Sequence, residues 1–96
     1  MRDAIDATLE YAAAGHDAFD SQRIYRDAIV FQLSQIGEAA NRISQELRQQ
    51  HPEIPWDEMR GFRNEAIHNY PGLVMSEVWN TVEIDIPKLK SQLEKL

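Results

Sequence analysis

Apolar residues recur every three or four positions along this chain, the spacing of one face of an α-helix, and no stretch alternates as a half-buried strand would. From about Arg2 to Ala14, Ile5, Leu9 and Ala12 fall on one side, with Ala13 beside them. Gly15 suits the end of this first helix as a C-terminal cap. The segment is short and starts without a clear cap, so the expectation is that an upstream turn is missing. Asp20 or Ser21 then caps a second helix, whose stripe reads Ile24, Ala28, Phe31, Ile36, Ala39, Ile43 and Leu47. It continues to about Gln50, roughly 43 Å of helix at 1.5 Å per residue. A helix that long outreaches a 96-residue domain folded on itself. It is expected to kink near Gly37 or to offer a surface to another chain. Gly37 costs about 1 kcal/mol against alanine in mid-helix, and close approach of a neighbouring backbone is the simplest compensation.

His51-Pro52 breaks the pattern, and Pro55 suits the first position of a third helix running from about Trp56 to Asn69. Pro71 disfavours helical dihedrals at Tyr70, and Gly72 adds freedom. A fourth helix follows from about Val74 to Leu96, with Val78, Val82, Leu89, Leu93 and Leu96 on its buried side and Trp79 and Ile86 nearby. Pro87 removes an amide inside it and should kink it. The expected fold is all-α: one domain over residues 1–96, an up-and-down four-helix bundle with a long second helix and a Pro-kinked last helix.

Composition narrows the function. A chain of 96 residues buries only about 60–65% of its unfolded surface, so a partner subunit would be unsurprising. There is no cysteine, hence no disulfide framework or thiolate metal site. No apolar run approaches the ~20 residues of a membrane span, and MRDAIDATLE carries charges where a signal peptide needs an apolar core. The expected location is the cytoplasm. The net charge of −6 argues against gripping nucleic acid over a broad surface, unless the few cations are concentrated. Arg60 and Arg63 do stand close together. Negative charge also keeps a protein soluble and complements a basic partner.

The densest chemistry is residues 63–70, RNEAIHNY. On a helix, Arg60, Asn64 and His68 share a face, with Arg63 one step around beside Asn64. Phe62, Ala66 and Ile67 point elsewhere. Pro71 frees Tyr70 to leave the helical path and turn toward His68. The cluster would hold a guanidinium, a carboxamide, an imidazole and a phenol. An imidazole takes or gives a proton near neutral pH, worth typically 10² to 10⁴ in rate. A guanidinium forks onto a phosphate and stabilises charge developing there. Asn64 can orient either. Together they suit cleavage of RNA, whose own 2′-hydroxyl is the nucleophile, without a metal; DNA lacks that hydroxyl and is not an expected substrate. His16 and His51 read as loop or helix-end residues, and Glu65 with His68 is a weak metal pair. The residues alone favour a simpler reading, a surface Arg and His that cap a helix C-terminus.

The spacing Arg63-Asn64-x3-His68-x-Tyr70 resembles the signature of the HepT-like branch of HEPN proteins. The segment IGEAANRIS, from Ile36 to Ser44, looks like that family's second helix. PEIPWDEMRGFRNEAIHNY, from Pro52 to Tyr70, is similar to its third-helix region. VWNTVEIDIPKLKSQL, from Val78 to Leu93, is similar to its closing helix, including the position of Pro87. Pro71 departs from the pattern, since an aromatic is common there, and it makes the exit of Tyr70 from the helix firmer. The resemblance implies a HEPN-like bundle that dimerises with the two motifs facing a shared cleft. It implies a metal-independent endoribonuclease toxin of a type VII toxin–antitoxin pair, with Arg63 and His68 as the catalytic pair, Asn64 as their polar companion and no cofactor. It also implies a nucleotidyltransferase antitoxin of the MntA type, which transfers AMP from ATP to Tyr70. AMP there would place phosphates against Arg63 and fill the cleft. The long second helix and Gly37 are then the expected dimer elements. The alternative is a non-catalytic nucleotide-binding partner of a nucleotidyltransferase, slightly favoured by the acidic charge. A purely structural helical module would tolerate alanine at every motif position.

Overall fold

The computed structural model describes all of residues Met1–Leu96. Helix α1 (Arg2–Ala12) ends shortly before Gly15, whose φ of 99° lies in the left-handed region that glycine enters without steric cost. That turn opens a short helix, α2 (His16–Ser21). Gln22 then adopts extended dihedrals, φ −121° and ψ 111°, and α3 (Arg23–Asn41) begins one residue later. Arg26 stabilises the break from the far side. Its Nη1 donates to the carbonyls of Phe19 and Asp20 at 3.0 and 2.7 Å, satisfying acceptors that α2 leaves free at its C-terminus.

The single long helix expected from about residue 20 to 50 is therefore divided, and it is divided again at Ser44. Ser44 is extended, φ −62° and ψ 150°, and its hydroxyl accepts the Leu47 N–H at 3.1 Å, which starts α4 (Gln45–Gln50). Arg48 on the new helix donates to Ile43 O at 3.0 Å and Ala40 O at 3.4 Å, covering the end of α3. A serine that caps and an arginine four residues on that reaches back outcompete continuation of the helix. The buried face also differs from the expected stripe. Ile29, Val30, Leu33, Ile36 and Ala40 enter the core, whereas Ile24 and Phe31 are 72% and 58% exposed. α3 carries apolar residues on more than one side, and periodicity alone did not choose between them.

Helix α5 (Trp56–His68) packs on α3, and Gly37 is what lets it come so close. A β-carbon at Gly37 would collide with the Met59 carbonyl oxygen and lie 2.5 Å from Arg63 Cβ. Close approach of a backbone is thus the role of Gly37, but the backbone belongs to the same chain. Gly37 is buried, so the expectation that it lies at a dimer interface is corrected. α5 stops at His68, and Tyr70–Gly72 forms a single 3₁₀ turn around Pro71.

The closing segment runs through α6 (Met75–Asn80), a π turn (Thr81–Asp85) and α7 (Ile86–Glu94). Pro87 has no N–H to donate and its ring crowds the preceding turn. The disturbance takes the form of a widened turn in which the Ile86 N–H reaches back five residues to Thr81 O. The buried face survives it: Val78, Val82, Ile86, Leu89 and Leu93 all lie in the core with Ile5, Phe19, Ile29 and Ile36. Each such aliphatic side chain contributes about 1.5–3 kcal/mol by leaving water. Leu96, expected on that face, is exposed beyond the end of α7. No helix is long and apolar enough to cross a membrane.

Candidate functional site

The last turns of α5 carry Arg63, Asn64 and His68. Arg63 stands at the α3–α5 contact, where Gly37 brings the two helices together, and it meets Glu38 of α3. Its Nε lies 3.1 Å from Glu38 Oε2. That nitrogen is buried and makes no hydrogen bond of good geometry, so the contact is an ion pair in which the N–H points off the line to the oxygen. The other Glu38 oxygen is 3.7 Å from Arg42 Nη2. Arg63 Nη1 donates to Asn64 Oδ1 at 3.2 Å. The guanidinium is thus held on two sides, and Nη2 keeps no protein partner. Asn64 and His68 follow one turn apart on the exposed side of α5. The His68 imidazole makes no hydrogen bond or ion pair within the chain. Arg60 shares this face as expected, but it is paired with Asp57 a turn earlier on its own helix.

Tyr70 leaves the helical path as Pro71 dictates, yet it does not turn to His68. Its hydroxyl donates to Asp27 Oδ1 on α3. The reason lies in the packing: Glu38 meets Arg63 while Asp27 meets Tyr70, so α3 and α5 run antiparallel and the end of α5 lies over the first turns of α3. The second Asp27 oxygen is 3.3 Å from Arg23 Nε. Burial, followed by the hydrogen bond to Asp27 and the charge of its carboxylate, pushes the Tyr70 phenol up to about 12; the cations of Arg23 and Arg26 pull the other way more weakly. The cations that act on the unmodified Tyr70 hydroxyl are therefore Arg23 and Arg26 of α3.

The remaining candidates serve the fold. His16 stacks on Trp79 with ring centres 4.9 Å apart and pairs with Asp20 at 3.3 Å. His51 ends α4 and lies 3.4 Å from Glu53. No three His, Asp or Glu side chains gather into a metal-sized group. Sequence reasoning missed Glu38 and Asp27. Glu38 had a signal, since it directly follows the close-approach glycine; Asp27 had only its i,i+4 spacing from Arg23.

Comparison with known proteins gives a consistent picture. The family model described as Ribonuclease HepT-like matches residues 1–96. A protein of Thermococcus cleftensis named "Probable ribonuclease HepT" is 45% identical over 69 residues, covering 72% of this chain and 63% of that protein's length. A protein of Methanocaldococcus jannaschii named "Putative RNase MJ0125" is 33% identical over 96 residues, all of this chain and 80% of the relative. No solved structure matches the chain.

Proposed function

The chain belongs to the HepT-like ribonuclease family, and from that premise we propose that it is a metal-independent endoribonuclease, the toxin of a type VII toxin–antitoxin pair. The observation that carries this reading is the state of Arg63. Its guanidinium is fixed by Glu38 and Asn64 and presents an unpartnered Nη2, on the same stretch of α5 as the free imidazole of His68. A guanidinium held in place loses little freedom on binding a phosphate and stabilises the charge that grows on it as the 2′-hydroxyl attacks. His68 exchanges the protons of that reaction, and Asn64 keeps the guanidinium fork oriented. Two chains pair so that both motifs share one cleft. The exposed Ile24, Phe31 and Ile67 supply apolar surface for the pairing. A nucleotidyltransferase antitoxin silences the enzyme by transferring AMP to Tyr70, with Arg23 and Arg26 the cations beside the new phosphate.

The test is cleavage of a labelled RNA by unmodified protein, with chelator and without added metal. Wild type should cleave. His68→Ala should lose about 10²- to 10⁴-fold, the usual worth of a general acid–base, with its circular dichroism spectrum unchanged. Full activity in folded His68→Ala would remove the catalytic assignment. Inactivity of the wild type would favour the nucleotide-binding partner, a reading supported by the net charge of −6, with Arg63 and His68 as phosphate ligands.

A further inference from the structure

We propose that Asp27 is the base that activates the Tyr70 hydroxyl for its modification. The inference rests on the reading of Tyr70 as the modified residue and adds the group that makes it a nucleophile. Asp27 lies 43 positions away in sequence and reaches Tyr70 only through the antiparallel packing of α3 on α5. The Tyr70 hydroxyl donates to Asp27 Oδ1, and Arg23 Nε lies 3.3 Å from Oδ2. One carboxylate oxygen is thus turned to the phenol, and the other faces the exposed Arg23 cation. The side chains of Asp27 and Arg23 are 47% and 83% exposed, so a nucleotide carried by a second protein can reach them.

The step follows from this geometry. The Tyr70 oxygen attacks the α-phosphorus of a nucleoside triphosphate brought by the nucleotidyltransferase. The O–P bond to tyrosine forms, the bond to the bridging oxygen breaks, and pyrophosphate leaves with that electron pair. The phenolic proton passes to Asp27 Oδ1 and then to water. A phenol pushed up to about 12 is almost wholly un-ionised at neutral pH, so a carboxylate that takes the proton as the oxygen attacks avoids the cost of first forming phenolate. The product has a consequence for the fold. The ester oxygen has no proton to donate, and an anionic phosphodiester stands beside the Asp27 carboxylate. The tie between the Tyr70 turn and α3 is lost, and Arg23 is left as the nearer partner of the phosphate.

An adenosine-bearing arylsulfonyl fluoride tests the role of Asp27 without the partner protein, since the same oxygen displaces fluoride from sulfur and the same proton must be removed. The rate is read at Tyr70 by peptide mass spectrometry. The wild-type rate should be nearly flat with pH around neutrality. Asp27→Asn should react about 10²-fold more slowly there, the lower range for a general base, and gain about tenfold per pH unit, because only the phenolate then reacts. If the Tyr70–Asp27 bond were merely structural, Asp27→Asn would release Tyr70 and label it as fast as wild type or faster, which would overturn the proposal. Asp27→Glu keeps a carboxylate and covers the case in which Asp27→Asn does not fold. A flat profile in Asp27→Glu supports the base, and a tenfold-per-unit slope overturns it. Incubating wild type with ATP and the nucleotidyltransferase separates the two readings. No AMP on Tyr70 would sink the regulatory reading, while the chemical rates still decide what Asp27 does.

Discussion

Gly37→Ala is a one-methyl perturbation whose effect reaches from the core to the site. The added β-carbon would lie 2.5 Å from Arg63 Cβ, against the 3.4 Å at which ordinary contact begins, and would overlap the Met59 carbonyl oxygen. Neither neighbour can turn away, because one is backbone and the other is a β-carbon fixed to it. α5 must move off α3 by nearly an ångström or bend. Overpacking of this kind costs about 1–3 kcal/mol, and a backbone collision belongs in the upper half of that range. Alanine returns about 1 kcal/mol of helix propensity. The net loss is then about 1–2 kcal/mol. For a domain of this size each kcal/mol lowers Tm by about 4–8 °C, so thermal unfolding followed by circular dichroism, at fixed protein concentration, should show a clear fall in midpoint. RNA cleavage should fall as well, since the displaced residue is Arg63. An unchanged or raised Tm would mean that propensity dominates and the helices part freely. The role given to Gly37 would then be wrong.

Other perturbations separate stability from chemistry. Glu38→Gln removes the charge that holds Arg63 Nε but keeps the shape. It should leave the unfolding free energy within about 1 kcal/mol of wild type, as a partly exposed ion pair does, while RNA cleavage drops; equal activity would remove Glu38 from the site. Ser44→Ala loses the cap of α4 and should cost about 1 kcal/mol in chemical denaturation with cleavage untouched. Tyr70 should titrate near 12 by ultraviolet absorbance in the folded protein, and Asp27→Asn should bring it part of the way back toward 10.0. Because the folded value is raised, the stability it confers is fully present below pH 10 and fades as pH rises toward 12. The stability gap between wild type and Tyr70→Phe should therefore shrink across that window.

The sequence by itself determined the fold class and where α1, α4 and α5 stop. Gly15, His51-Pro52 and Pro71 act through local dihedrals and missing amides, and they act wherever the chain goes. The core face of the closing segment was legible because Val78, Val82, Leu89 and Leu93 keep one strong stripe. Motif spacing put Arg63, Asn64 and His68 on one helix, and three blocks of resemblance pointed to the family. α3 shows the limit of such reading. With apolar residues on several sides, its buried face was settled by what packed against it, so Ile24 and Phe31 ended outside. The break at Ser44 turned on a competition between capping and continuation that differs by about 1 kcal/mol. Only the tertiary structure brought Glu38 to Arg63 and Asp27 to Tyr70. Those contacts join residues far apart in the chain, and they depend on the antiparallel packing of two helices at a distance set by the missing side chain of Gly37. No local spacing encodes that distance.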